Sequence, residues 1–476
     1  MREPHQLKEQ VKAAATQLWP AAVELSHDIH AHPELAFEEH RTAAAVSKLL
    51  ETHGFAVEHA IAGLDTAFLA TAGSGPLVVA ICAELDALPE VGHACGHNVI
   101  AAAAVTAGVS LAGVADALGL TVRVYGTPAE EVVGGKVILL ERGAFDGVHA
   151  AMMIHPSPDE YADFFCRATI DVDVTYTGKP AHAAAAPQEG INALDAVTVA
   201  QVAIGVLRQQ LPSSVIVSGI ILDGGTAANV IPANTRVRYD IRASTLAELE
   251  QVQERVMNCF RAGAVATGCE MQVEHHSRPY SEFQADDAMN GCYRRNAEAL
   301  GRVFSPDLTT AERLNAAGST DMANISQAIP SIHPMVRLET HGSFNHQPEF
   351  ARCCIEESAD TAILQAGPPW HGPPSTWPWT PSSGNDCWRG RADVAAQPLA
   401  QGPLASRAPD VVGSSGRADR RCLPAAVAAP AQRPPPVAGA APHPVVDHDS
   451  GQCDGHPRAV VRRTHQDRRR RAGPAR

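Results

Sequence analysis

The composition of the chain changes abruptly near Gly367, and this break limits how much of it can fold. The 109 residues that follow contain 18 of the 35 prolines, 15 arginines and eight aspartates, but no lysine and no glutamate. No apolar periodicity survives there, and a segment of this composition cannot bury enough apolar surface to form a core. We therefore predict a disordered tail over residues 368–476 and a folded body before it.

Two origins of this tail fit the sequence. One is a natural tail whose Arg-rich end, Arg468–Arg471, contacts nucleic acid or acidic partners. The other is out-of-frame translation of a GC-rich gene, because the change falls within a predicted helix, Ile355–Ala366. The tail carries a net charge of +7, which leaves −21 for the rest of a chain whose net charge is −14. Phosphate binding needs a basic surface, so we expect no nucleic-acid partner for the body.

The first part of the body alternates strand and helix patterns. Leu77–Cys82 is a short apolar run, typical of a buried parallel strand, and an Ala-rich helix begins at about Val99. Thr121–Tyr125 then alternates as a strand, and Val132–Glu141 has a helical pattern. This order predicts an α/β domain with helices on both faces of a sheet.

A second pattern begins near residue 169. Thr169–Tyr176 and Thr235–Ile241 alternate with period two, which indicates strands with one solvated face, and Ile191–Leu211 between them is helical. We predict an inserted α+β lid domain over residues 169–285. The catalytic domain would then comprise residues 1–168 and 286–367, with Asp286–Gly301 as a helix after the insertion.

The segment HACGHN at residues 93–98 is the first place where metal-ligand residue types cluster. It lies between a predicted strand and helix, where α/β proteins place their sites. Alternate residues of an extended segment point the same way, so Cys95 and His97 can converge, and Gly96 permits a tight backbone. The competing interpretation is a buried free cysteine beside a helix-capping histidine.

Three further loops carry the same residue types. Glu130 and Glu131 follow the next predicted strand, and two adjacent carboxylates are costly to hold in a crevice without a counter-charge. We predict that one ligates a cation and the other acts as a base; acids favoured by a helix N-terminus are the alternative. His155 follows the apolar run Ala150–Ile154, and His346 lies in FNHQPEF. Either histidine alone is more often structural, so the argument rests on the whole set.

A series of motifs from about His27 to Ala366 resembles the M20 metallopeptidase family, in particular its amidohydrolase branch. Asn98 stands where many members of that branch carry Asp, and in this the chain resembles the sub-branch of aminobenzoyl-glutamate hydrolases and aminoacylase-like dipeptidases. The motifs are HAHPELAFEE (30–39), AELDALP (83–89), HACGHN (93–98), GTPAEE (126–131), GKPAHA (178–183), GTAANVIP (225–232), GSTDM (318–322) and the His346 segment.

The resemblance implies a catalytic α/β domain with two divalent metal ions and a lid domain that makes a homodimer. Cysteine and histidine ligands favour zinc, and a mixed N, O and S set also accepts manganese, cobalt or nickel. The metal ligands that it implies are Cys95, which bridges both ions, His97, Glu131, His155 and His346. The other roles that it implies are Glu130 as general base, His182 as donor to a reacting oxygen, often in the partner subunit's site, Asp86 as a residue that orients the ligands, and Asn229 and Arg242 as holders of a substrate carboxylate.

We therefore expect an amidohydrolase that uses a metal-activated water on an N-acyl amino acid, aminobenzoyl-glutamate or a dipeptide. The alternative is a folded but inactive homologue or binding protein, because the break at Gly367 replaces the end of the catalytic domain. The N-terminus has no apolar h-region and no 18-residue apolar run occurs, so we expect neither a signal peptide nor a membrane partner. Eleven cysteines without a disulfide spacing favour the cytoplasm.

Overall fold

The computed structural model describes residues 4–309, 312 and 318–366. The predicted tail, 368–476, lies outside these residues. Its disorder and the two origins suggested for it therefore stay predictions. The helices are α1 (Pro4–Ala31), α2 (His40–Thr52), α3 (His97–Ala112), α4 (Ala115–Leu118), α5 (Gly135–Glu141), α6 (Ala193–Leu207), α7 (Leu246–Thr267), α8 (Asp287–Ala299), α9 (Met322–Ala328), α10 (Pro348–Cys353) and α11 (Glu357–Ala366). The strands are β1 (Ala56–His59), β2 (Phe68–Gly73), β3 (Leu77–Glu84), β4 (Leu120–Thr127), β5 (Ala150–Met152), β6 (His155–Ser157), β7 (Ala168–Thr177), β8 (Ile216–Asp223), β9 (Asn234–Ala243), β10 (Glu270–His275), β11 (Ser331–Ile332) and β12 (Met335–Arg337).

The α/β domain is built on a six-stranded sheet with the order β1-β2-β4-β3-β5-β11. β4, β3, β5 and β11 run parallel, while β1 and β2 add an antiparallel edge. The Ala-rich helix α3 packs on β3 and is buried nearly all round, as expected for a helix without a polar face. β6 and β12 form a short parallel pair just beyond β5 and β11. The predicted α/β class is confirmed.

Helix α5 is shorter than its sequence pattern predicts. The helix begins at Gly135 rather than Val132, because Gly134 adopts a left-handed φ of 82° and breaks the pattern. A Cβ at Gly135 would lie 1.8 Å from the carbonyl oxygen of Pro128, so the loop after β4 packs directly on the helix start. Residues 128–134 therefore form a compact loop at the end of β4.

The helix predicted over 355–366 begins two residues later than its apolar spacing suggests. α10 ends at Cys353 and α11 begins at Glu357, so Ile355 lies in the turn between them and is 39% exposed. Ala359, Ala362 and Ile363 are fully buried, as their spacing predicts. The described part of α11 thus packs on the α/β domain, against α1 and α3.

The inserted domain is a four-stranded antiparallel sheet with the order β10-β7-β9-β8. Its core is formed by alternate residues of β7 and β9, such as Val172, Val174 and Val237, packed against α6 and α7. The opposite face is charged, and there the Asp173 carboxylate accepts hydrogen bonds from Arg236 and Arg238. The boundaries of this domain, 169–285, stay a prediction. In the described ranges, no helix has the length and apolar character needed to cross a bilayer.

Candidate metal centre

The loop between β3 and α3 carries Cys95 and His97. Gly96 separates them at a φ of 86°, and a Cβ there would lie 2.8 Å from Pro156 Cγ, so the position requires glycine. His97 is the first residue of α3, and its Nδ1 lies 2.7 Å from the backbone oxygen of Asp86. That contact places a ring proton on Nδ1, so in the neutral ring Nε2 is the nitrogen able to bind a cation.

The loop after β4 carries Glu130 and Glu131. The Glu131 N–H donates to Asp86 Oδ2 at 3.0 Å, and the Tyr280 hydroxyl donates to the Glu130 carbonyl oxygen at 2.6 Å. Ala129, just before the pair, has a positive φ of 58°. The backbone of both glutamates is therefore fixed from two sides, and their side chains are buried or nearly so.

His155 and His346 approach from the other side of the centre. His155 begins β6, and its Nε2 lies 3.3 Å from Cys95 Sγ. His346 has a φ of 72°, unusual for a residue with a Cβ, and its N–H donates to the Ala94 carbonyl oxygen at 2.8 Å. Its Nε2 lies 3.6 Å from Glu131 Oε2. The strained backbone thus places this imidazole beside the loop of Cys95.

All five predicted metal ligands converge in one place. One set of ligand atoms within 4.8 Å of one another belongs to Cys95, His97 and His155, and a second to Cys95, Glu131 and His346. Cys95 belongs to both sets, which is the position required of a bridging thiolate. A third set joins His97, Glu130 and Glu131.

The charge of this region fits divalent cations. Five carboxylates are buried around the centre, from Glu84, Asp86, Glu130, Glu131 and Asp321, and Lys136 is the buried ammonium among them. Such an excess of buried negative charge is very unfavourable without further cations. Among the described residues, His97 Nε2, Glu84 Oε2 and Glu131 Oε1 have no hydrogen-bond partner, although all three are buried. The donor atoms of cysteine, histidine and glutamate suit zinc or a similar ion.

The pKa shifts of these side chains reflect their burial and the same excess of buried negative charge. Burial, followed by the charge of Glu84 and Glu131, raises the pKa of Glu130 well above its usual range. Burial and then Glu131 raise the pKa of the Cys95 thiol in the same way. Burial lowers the pKa of His155 to about 4, so its imidazole is neutral and able to bind a cation.

Three buried residues of the centre escaped the sequence analysis. Lys136 Nζ lies 2.6 Å from Glu84 Oε1 and 2.6 Å from Asp321 Oδ1, and the Lys136 N–H donates to Asp321 Oδ2. Glu84 and Asp321 belong to the AELDALP and GSTDM motifs, which was the available signal. A lysine is almost never fully buried, so nothing in the sequence singled out Lys136.

A cavity of about 640 Å³ adjoins the candidate metal centre, with Cys95, Glu130 and His346 in its wall, and its size is within the range of small-molecule sites. Arg242, predicted to hold a carboxylate, lines it, and its Nε donates to Asp240 at 2.7 Å. His333, with its ring stacked on Phe164, lies in the wall close to His155. Five aspartates and two arginines line the cavity: Asp159, Asp163, Asp171, Asp240, Asp307, Arg242 and Arg294.

His182 and Asn229 lie apart from this cavity. They lie on adjacent segments of the inserted domain, where the Ala183 N–H donates to the Asn229 carbonyl oxygen at 3.0 Å. Both side chains are exposed, and neither is among the residues that line the cavity. Within one chain, therefore, the structure brings Arg242 to the site but not the other two residues predicted to act beside it.

Comparisons with known proteins agree with this architecture. The profile of a family described as "Peptidase dimerisation domain" matches residues 167–267. The chain is 38% identical over 355 residues to a Xaa-Arg dipeptidase of Mus musculus, covering 72% of this chain and 82% of that protein. It is 33% identical to one of the subunits of the p-aminobenzoyl-glutamate hydrolase of Escherichia coli, over 61% of this chain and 64% of that protein. A crystal structure of a dinuclear metal-binding M20 peptidase from Bacillus subtilis has the same fold, with a TM-score of 0.54 at 22% identity over 74% of this chain and 98% of that one.

Proposed function

Because this chain belongs to the M20 family of peptidases and amidohydrolases, we propose that it uses two divalent cations to hydrolyse the amide bond of a dipeptide or an N-acyl amino acid such as aminobenzoyl-glutamate. One observation carries the proposal: the ligand atoms of Cys95, His97, Glu131, His155 and His346 converge, with Glu130 beside them. Zinc is the first candidate for the ions, followed by manganese, cobalt and nickel.

Glu130 is the general base in this proposal. When bound, divalent cations polarise the scissile carbonyl and make a nearby water more acidic. The Glu130 carboxylate would take the proton of that water and pass it to the leaving amine, as a general base does in such a hydrolysis. The hydrogen bond from Tyr280 to the Glu130 carbonyl keeps the base at a fixed distance from the ligands.

The cavity wall favours a substrate with a positive charge. Its two arginines are each paired with an aspartate, Arg242 with Asp240 and Arg294 with Asp307. Asp159 and Asp171 add further negative charge. The name of the mouse relative specifies dipeptides that end in arginine. We propose a dipeptide with a basic C-terminal residue as the first substrate to test.

We also propose a homodimer formed through the inserted domain, with His182 and Asn229 serving the partner subunit's site. The edge strand β8 and helix α6 expose large apolar side chains that water does not favour. They are Val202, Val206, Ile216, Ile220, Ile221 and Leu222.

None of the eight cysteines that the structure describes forms a disulfide, which supports a reducing compartment such as the cytoplasm.

The test combines metal analysis with a substrate panel. We expect the purified chain to hold two equivalents of metal and to cleave Ala-Arg at least about 10-fold faster, in kcat/KM, than Ala-citrulline, which has the same shape without the charge. Aminobenzoyl-glutamate and N-acetyl amino acids complete the panel. A folded chain that binds no divalent cation would instead support the inactive homologue.

A further inference from the structure

Glu84 ends β3 directly beneath the proposed metal centre, where it meets His97. Its Oε1 accepts a hydrogen bond from Lys136 at 2.6 Å, while its Oε2 lies 3.2 Å from His97 Nε2. Neither Oε2 nor Nε2 has a hydrogen-bond partner among the residues that the structure describes, and both are buried. Two buried polar atoms without partners at this distance point to a group that would lie between them.

The orientation of the His97 ring identifies that group as a cation. Its Nδ1 faces the backbone oxygen of Asp86 at 2.7 Å, so the ring proton of the neutral imidazole resides there. In this neutral form Nε2 and Glu84 Oε2 are two acceptors that face each other, which is unfavourable unless a cation or a proton lies between them. Two ligand atoms about 2.1 Å from one ion lie roughly 3.0–3.4 Å apart at octahedral or tetrahedral angles. The observed 3.2 Å falls within this interval.

We infer that Glu84 is a sixth protein ligand of the metal centre and contributes Oε2 to the ion that His97 binds. This inference rests on the proposed metal-dependent function and adds a residue to its ligand set. Glu131 Oε1, which also has no hydrogen-bond partner among the described residues, lies farther from His97 Nε2, at 3.7 Å, so Glu84 is the nearer carboxylate to that nitrogen.

Lys136 is the residue that positions Glu84. Its ammonium is fully buried and bridges Glu84 and Asp321, each at 2.6 Å. Because Asp321 also accepts the Lys136 N–H at 2.8 Å, the lysine is fixed at both its backbone and its side chain. The Lys136 ammonium thereby holds Oε1 of Glu84, and Oε2 remains directed at His97.

The decisive comparison uses Glu84→Gln with Asp321→Asn as its matched control. Each substitution removes one carboxylate from the same ammonium and keeps the side-chain shape, but only the first removes the inferred ligand. Metal affinity is measured by competition with a chromogenic chelator, and stoichiometry by elemental analysis. The visible absorption of the Co²⁺-loaded protein reports the coordination of the ions independently of activity.

We expect Glu84→Gln to weaken one of the two metal equivalents by at least about 100-fold, beyond the upper end for a residue that only supports a ligand. Its Co²⁺ spectrum should change shape, while Asp321→Asn should keep the wild-type spectrum. Equal losses in both variants would overturn the inference, because Glu84 would then act only through the ion-pair network. Wild-type affinity and spectrum in Glu84→Gln would overturn it as well.

If Glu84→Gln fails to fold, Glu84→Asp serves instead. It keeps a carboxylate but withdraws it by one methylene, so a ligand role predicts an altered Co²⁺ spectrum at full stoichiometry, and an unchanged spectrum counts against that role. The two proposals can also be told apart. A wild-type chain that binds no divalent cation contradicts the proposed function, whereas a wild-type chain with two ions and an unaltered Glu84→Gln contradicts only this inference.

Discussion

The buried carboxylate of Glu39 accepts a hydrogen bond of 2.9 Å from the backbone N–H of Ala129, 90 residues away in the chain. Its other oxygen accepts a hydrogen bond from Thr66 Oγ1 at 2.8 Å. Ala129 has a positive φ of 58° and immediately precedes Glu130. A strained backbone persists only where its surroundings hold it. Glu39 therefore fixes the loop that carries both Glu130 and Glu131.

The first prediction concerns the pH dependence that Glu39 gives to stability. Burial, and secondly the charge of Asp86, raise the pKa of Glu39 to about 6, above an ordinary value of 4.5. The native state thus binds this proton more tightly than the unfolded chain does. Its stabilising effect is complete below pH 4.5 and is lost as the pH rises through 6. The loss amounts to about 2 kcal/mol of unfolding free energy.

Glu39→Gln should remove this dependence. We compare the unfolding free energies of the variant and the wild type at two pH values by urea unfolding with a chelator present. Between pH 4.5 and pH 7.5, the difference between them should shift by about 2 kcal/mol in favour of the variant. Thr66→Val is the control, because it keeps the carboxyl and removes a hydrogen bond that lowers the pKa of Glu39, so the pH dependence should be at least as strong as in the wild type. Identical pH dependence in Glu39→Gln and the wild type would show that another group is responsible.

The residues of the centre differ in how far the sequence could reveal them. Cys95, His97, Glu130 and Glu131 follow predicted strands, and a parallel sheet gathers such loops at one edge, so their convergence was predictable. The link between Lys136 and Asp321 was not, because 185 residues separate them and only the packing of α5 against α9 joins them.

The ends of helices were also poorly predicted. Local apolar spacing suggested that α5 begins at Val132, but the left-handed Gly134 delays it to Gly135. Apolar spacing likewise predicted that Ile355 lies in a helix, whereas it lies in a turn. In both cases the backbone conformation of a few residues delays a helix that the periodic pattern predicts. Apolar spacing alone does not encode that conformation.

The second prediction separates the roles of the two adjacent glutamates. The two oxygens of Glu131 face His97 at 3.7 Å and His346 at 3.6 Å, so Glu131→Gln should lose bound metal. Glu130→Gln should keep its metal and lose turnover by about 10²–10⁴-fold, the usual effect of removing a general base. The two variants control for each other, since they make the same change at neighbouring positions. Elemental analysis and kcat measurements check both, and the opposite pattern would reverse the assignment.

The third prediction tests the proposed dimer surface. Val206 on α6 and Ile220 on β8 are 67% and 60% exposed, and Val206→Asp or Ile220→Asp would place a charge in an apolar interface. Each should shift the protein from dimer to monomer in sedimentation velocity. Val303→Asp is the control, because Val303 is 81% exposed but lies outside the inserted domain. A dimer that survives both substitutions would place the interface elsewhere.

The last prediction asks which subunit uses His182. His182 is exposed and does not line the cavity of its own chain. If it acts in the partner subunit, His182→Ala and Glu130→Gln should each be nearly inactive alone but regain activity when mixed under conditions of subunit exchange. In a mixed dimer, one site then combines an intact Glu130 with an intact His182, so equal amounts should recover about a quarter of wild-type activity. Adding Val206→Asp to both chains should abolish the recovery, since it prevents the mixed dimer. A mixture that gains no activity, although mixed dimers form, would mean that His182 acts within its own chain or has no role in turnover.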